Sequence, residues 1–132
     1  MNMRFALVCE YANVTADGKA NIMGVLERII APNFPATKSL FLVISIDMEP
    51  QDQGLERAMK VQLVDPDGKT QADVNLNIQC PVHRQVLNSI AVFENLQFQN
   101  PGGHSFNIFF EGTLEKSVEI ELIRHAGPSQ QS

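Results

Sequence analysis

The chain is 132 residues long, 44% apolar, and carries a formal charge of −5 with ten basic residues. That length suits one domain, and that apolar share supports a real core, which excludes wholesale disorder. The Lys and Arg residues are scattered and never form a run, which argues against a nucleic acid or an anionic membrane surface as partner.

The N-terminal stretch MNMRFALVCEY has one Arg and a short apolar run interrupted by Glu10, too short for the core of a signal peptide. No stretch reaches the ~20 apolar residues that span a bilayer. A cytoplasmic protein is expected. The two cysteines, Cys9 and Cys80, are too few for a disulfide framework and are expected as buried thiols.

Period-two alternation dominates the chain, and no long stretch has helical period. Strands are expected at 4–14, 20–30, 39–47, 56–65, 70–79, 86–98, 103–111 and 115–125. In MKVQLV, Met59, Val61 and Leu63 share one face and Lys60 and Gln62 the other. In ADVNLNIQ, Ala72, Val74, Leu76 and Ile78 oppose Asp73, Asn75, Asn77 and Gln79. VEIELI sets Val118, Ile120 and Leu122 against Glu119 and Glu121. Each pattern predicts a strand with one face in the core and one in water. SLFLVISI breaks the rule. Leu40, Leu42, Ile44 and Ile46 lie on one face, but Phe41 and Val43 make the other face apolar too. That predicts a central strand covered on its second side by a loop or by another chain.

Turns are expected at Asp17-Gly18, Asp67-Gly68, Pro101-Gly102-Gly103 and Gly112. Loop 31–38 holds two prolines, and loop 48–55, MEPQDQGL, is expected to be polar and flexible. Around Asp67-Gly68 the inward residues are odd-numbered before the turn and even-numbered after it, which predicts an even loop, Asp65 to Gly68. A single domain over 1–125 with a flexible tail at 126–132 follows. The fold class is all-β: a two-sheet β-sandwich of about eight antiparallel strands, Greek-key, jelly-roll or immunoglobulin-like.

VDPDGKT resembles the opening of a calcium loop. With Gly68 at position 6 of an EF-hand loop, position 12 is Val74; with Gly18 there, it is Gly24. Neither loop has the closing carboxylate, so turn chemistry explains both and no calcium is expected. No catalytic motif for acyl, phosphoryl or hydride transfer is found. CPVH places Cys80 three residues before His83, which supplies at most two of the four ligands a zinc site needs, with Cys9 or His104 as the remaining candidates. A buried thiol beside an exposed loop histidine explains the same residues, and no cofactor is expected. The row Asp73, Asn75, Asn77, Gln79 has the amide and carboxylate groups of a sugar-binding face. A solvated sheet face gives the same alternation.

CEYANVTADGKANIMGVLERI (9–29), the proline-bearing loop 31–38, VQLVDPDGK (61–69), ENLQF (94–98) and PGGHSFNIFFEG (101–112) carry a further signal. Through these stretches the chain resembles a family of short bacterial proteins catalogued as a domain of unknown function. The resemblance reaches to about residue 124. It implies the sandwich fold and transfers no catalytic residue or cofactor.

Three functions remain open. The first is a non-enzymatic protein-interaction or assembly module, working as a homodimer or with an unknown protein partner through Phe41, Val43 and Phe109. The second is a small-ligand or glycan-binding sandwich using Asp73, Asn75, Asn77 and Gln79. The third is a metal-dependent enzyme built on Cys80 and His83.

Overall fold

All the alternating stretches become strands. The computed structural model describes residues 1–125, and among them lie nine strands: β1 (Asn2–Val14), β2 (Ala20–Val25), β3 (Arg28–Ala31), β4 (Ala36–Asp47), β5 (Glu56–Val64), β6 (Thr70–Gln79), β7 (Val86–Phe98), β8 (Gly102–Phe110) and β9 (Thr113–Arg124). The expected tail at 126–132 lies outside the described residues. One sheet runs β2-β1-β4-β7, and the other runs β3-β9-β8-β5-β6.

Two expectations change here. The segment expected as one strand at 20–30 is two. Leu26 still donates its N–H to the Val8 carbonyl at 2.8 Å, closing the β1–β2 pairing. One residue later the chain leaves for the other sheet, where Glu121 donates to the Glu27 carbonyl and β3 pairs with β9 in parallel. Among the described residues the fold therefore has nine strands where about eight were expected, and one of its pairings is parallel rather than antiparallel.

The two sheets pack face to face on one core. Leu40, Leu42, Ile44 and Ile46 of β4 are fully buried, and Val61, Leu63, Phe106, Ile108, Ile120 and Leu122 meet them from the five-stranded sheet. Each such side chain contributes about 1.5–3 kcal/mol of hydrophobic stabilisation. Inward side chains thus follow the alternation of the sequence.

The β5–β6 turn closes one residue tighter than expected. Asp65 donates its N–H to the Lys69 carbonyl at 2.9 Å, and Gly68 donates to the Asp65 carbonyl at 3.0 Å. The loop is Pro66-Asp67-Gly68, with Gly68 at φ +84°, where a Cβ is unfavourable. A register slip after Leu63 leaves one extra residue on β6 and restores the parity of the inward faces. Thr15 and Lys19 close the β1–β2 turn around Ala16-Asp17-Gly18 with the same pattern of bonds.

The loop 48–55 is also more ordered than its polarity implies. Pro50–Asp52 forms a 3-10 turn, and Glu49 and Asp52 cap each other across it. Asp52 is buried. Its carboxylate accepts from the Glu49 N–H at 2.9 Å, the Met1 ammonium at 3.0 Å and Arg57 Nη2 at 2.9 Å.

The cover on the outer side of β4 comes from the chain itself. Cys9 lies opposite Phe41, and Asn88 lies opposite Ser45, at the level of Phe5. A straight β1 would carry Gly18 roughly 30 Å beyond Cys9 and away from Asn88. Yet Asn88 Nδ2 donates to the Gly18 carbonyl at 2.9 Å. The β1–β2 hairpin therefore doubles back over the outer face of its own sheet. The burial pattern marks the corner: Cys9 and Ala12 are buried, three residues apart, with Glu10 and Tyr11 exposed between them. On the paired strand the corner falls at Gly24, which has φ +67°.

Candidate interaction surface

The folded hairpin makes a second, smaller apolar layer. Cys9, Ala12 and Val43 are buried in it, with Phe5, Leu7, Ala20, Ile22, Phe41 and Ile90 packed around them. The doubly apolar strand is thus covered by a loop of its own chain, though by hairpin 10–25 rather than by another molecule at Val43. Val43 is fully buried within the monomer. Phe109 lies on the other sheet, paired between Lys60 and Leu114, with Lys60 Nζ 6.0 Å from its ring centroid. Phe41, Val43 and Phe109 therefore do not form one outward patch.

Part of that outer face stays open at the hairpin corner. The Tyr11 and Phe41 rings meet edge to face, with centroids 5.2 Å apart. Met23 is the cross-strand partner of Tyr11, and Val92 that of Phe41. Tyr11 is 48% exposed, Met23 65% and Val92 52%. The four side chains form a continuous apolar band across four strands, Met23–Tyr11–Phe41–Val92. A shallow open cavity of about 410 Å³ lies at the corner, lined by Glu10, Tyr11, Met23 and Gly24. The sequence pattern pointed to Phe41 and missed Tyr11 and Met23, because only the corner turns them to one side.

The row Asp73, Asn75, Asn77, Gln79 is exposed on the outer face of the five-stranded sheet. Its cross-strand neighbours bring Gln62 beside Asp73, Lys60 beside Asn75, and Ala58 beside Asn77. Asp73 takes a hydrogen bond from Gln62 Nε2 at 3.3 Å and an ion pair from Lys60 at 3.7 Å. Phe109 follows Lys60 in the same row. A cavity of about 190 Å³ is bordered by Lys60, Asn75, Asn77 and Gly112.

The proposed metal ligands are dispersed. Cys80 is buried and His83 exposed, with a left-handed backbone at φ +70°. Burial, reinforced by the charge of Asp52, pushes the Cys80 thiol up from its ordinary value. Cys9 lies beneath the hairpin, where burial likewise pushes its thiol up. His104 is buried at the far end of the core, with Nδ1 3.1 Å from the Gly102 carbonyl and its ring edge-on to Phe98. Its Nε2 has no hydrogen-bond partner. Among the described residues, no three His, Cys, Asp or Glu side chains gather at one point.

The carboxylate that made the calcium motif suggestive is occupied by its own turn. Asp65 Oδ1 accepts from the N–H groups of Lys69 and Asp67 at 2.8 and 2.9 Å, and Oδ2 accepts from Gln71 Nε2 at 3.0 Å. The Lys69 N–H leads in holding this carboxyl below its ordinary value. No helix among the described residues is long and apolar enough to cross a membrane.

Two facing sheets, one with an apolar corner left uncovered by its own hairpin, define an all-β protein. Residues 4–123 match the model of a family of unknown function, DUF6941, and the chain belongs to that family. No curated protein matches it. Among solved structures it is similar, at 12% identity and a TM-score of 0.48, to Pseudomonas fluorescens alkylpurine DNA glycosylase AlkC bound to DNA containing an abasic site analog. That similarity covers 89% of this chain and 30% of the glycosylase, so the chain spans less than a third of that protein.

Proposed function

We propose that the chain is a non-enzymatic protein-interaction or assembly module acting in the cytoplasm. The observation that carries this reading is the band Met23–Tyr11–Phe41–Val92. The hairpin buries the adjoining Val43 and Cys9 yet leaves Tyr11, Met23 and Val92 about half exposed or more. Contiguous apolar surface on a folded protein marks a contact site more often than an accident. Scattered basic residues disfavour nucleic acid as the partner. The test is a photo-crosslinking residue placed at Val92 in expressing cells. An adduct of protein mass, absent when the same residue replaces exposed Glu115, supports the reading. Equal labelling at both positions overturns it.

A second reading is favoured by one specific observation. Phe109 and Lys60 stand in line with Asn75, giving the amide row the apolar platform that sugar rings stack on. Binding of neutral oligosaccharides that is lost in Asn75→Ala and Phe109→Ala together, with the fold intact by circular dichroism, would favour it over the first.

A further inference from the structure

We propose that β7 is a docking edge for a second copy of this chain, the two β7 strands pairing antiparallel about Ser89. This names the partner left open by the interaction reading and rests on that reading. β7 is the last strand of its sheet, and among the described residues no strand pairs with its second edge. Natural edge strands are protected by shortness, charge, proline or a bulge. β2 and β3 are short edges, with six and four residues. β6 is long but carries Asp73 and a polar outer row. Val86 to Phe93 has none of these protections: the residues are Val, Leu, Asn, Ser, Ile, Ala, Val and Phe. The register slip opposite Lys38 and Leu40, with Asn95 at φ +53°, comes only after that stretch and ends it.

Charge selects the register. Pairing about Ser89 sets Val86 of one copy opposite Val92 of the other, Asn88 opposite Ile90, and Arg84 opposite Glu94, each occurring twice by symmetry. A two-residue slip leaves Glu94 facing Val86 or Val82, an unpaired charge against an apolar side chain, which is disfavoured. Arg84 and Glu94 are both exposed and flank the pairing stretch, Arg84 in the turn before β7 with its guanidinium beside Gly18 of the hairpin tip and Glu94 at the register slip after Phe93. Asn88, Ile90 and Val92 share the outer face with Phe41. The pairing therefore extends the band Met23–Tyr11–Phe41–Val92 directly onto Val86 of the second copy. Two four-stranded sheets become one of eight, and a two-fold dimer closes without leaving either β7 edge open.

Size-exclusion chromatography with light scattering at micromolar concentration tests this. The wild type is expected at twice the chain mass and Val92→Lys at the monomer mass. Glu94→Arg, which sets like charges together twice, is expected to raise the dimer dissociation constant roughly tenfold or more. Combining it with Arg84→Glu is expected to restore the wild-type value, which no general loss of stability would do. Ser89→Cys is expected to yield a covalent dimer on mild oxidation, since the two-fold axis brings that position against itself. A wild-type monomer throughout overturns the pairing. So does a dimer that ignores Val92→Lys and is not recovered by the charge swap. A monomer that still crosslinks to another protein through Val92 overturns the pairing while leaving the interaction reading in place.

Discussion

Asn88 on β7 donates its side-chain N–H to the carbonyl of Gly18, a residue 70 positions earlier in the chain. That bond pins the tip of the β1–β2 hairpin over the sheet from which the hairpin itself springs. Arg84 lies against the same tip, its guanidinium occupying the place a Cβ on Gly18 would take. Asn88→Ala removes the pin and also the acceptor of the buried Ser45 hydroxyl, which donates to Asn88 Oδ1 at 2.6 Å, so it should cost about 2 kcal/mol, the net worth of two such bonds. It should also speed amide exchange in residues 12–22 more than in β5 or β8. Uniform exchange across the molecule would show that the hairpin is not a separately anchored layer.

The corner depends on Gly24. Its φ is +67°, and an added Cβ would sit 3.0 Å from the Glu10 side chain. Gly24→Ala should destabilise by about 1 kcal/mol or more, from backbone strain and crowding together. Gly68→Ala should lose a similar amount from strain alone, since no atom lies within 4 Å of its added Cβ. If Glu10→Ala in the Gly24→Ala background recovers part of the loss in a denaturation midpoint, crowding at the corner is the cause. The same Glu10→Ala change should do nothing for Gly68→Ala.

These glycines also show what was legible. Alternation placed Leu40, Leu42, Ile44 and Ile46 in the core and Asp73 to Gln79 in water, because a strand's two faces follow from the period of the backbone. The apolar Phe41 and Val43 announced a second cover on β4. What covers them was hidden, because doubling back is a property of two bent strands and not of any window of residues. The split of 20–30 into β2 and β3 was hidden for a related reason: its marks, Gly24 and the charged pair Glu27-Arg28, sit inside an apolar stretch short enough to be a single strand. The Asp65 turn shows the converse failure. Parity demanded an even loop, but a single extra residue on β6 permitted an odd one. In the 48–55 loop, Glu49-Pro50-Gln51-Asp52 did carry a capping signal, outweighed by its polarity.

The two thiols should be inert in the folded protein. Burial comes first among the causes that push Cys9 and Cys80 upward, so little thiolate forms near neutral pH. A disulfide-exchange reagent at pH 7.5 should label neither within minutes, and both once guanidinium is added. Fast labelling of Cys80 alone would expose it as a reactive or metal-ready thiol and revive the pairing with His83.

Acid should unfold the protein through a small set of carboxylates, with Asp52 foremost. Burial alone would raise the Asp52 carboxyl, but the Glu49 N–H, the Met1 ammonium and Arg57 together outweigh it, and the net shift is downward. Asp65 and Asp17 shift downward too, held chiefly by the Lys69 N–H and by the Thr15 hydroxyl respectively. A group whose folded value is depressed favours the native state when charged. Its contribution is therefore complete above the unfolded value of about 3.9 and is lost as pH falls through the lower folded value. Stability should be flat from pH 7 down to about 5 as far as these groups are concerned, then fall steeply below about 4. Asp52→Asn should cost on the order of 3 kcal/mol at pH 7, because it strips a buried ion pair of its anion. It should also make the acid limb shallower, since one of the groups that binds a proton on unfolding is gone. Denaturant midpoints measured at each pH by circular dichroism check both effects. An acid limb as steep in Asp52→Asn as in the wild type would move the acid sensitivity to Asp65 and the turn it closes.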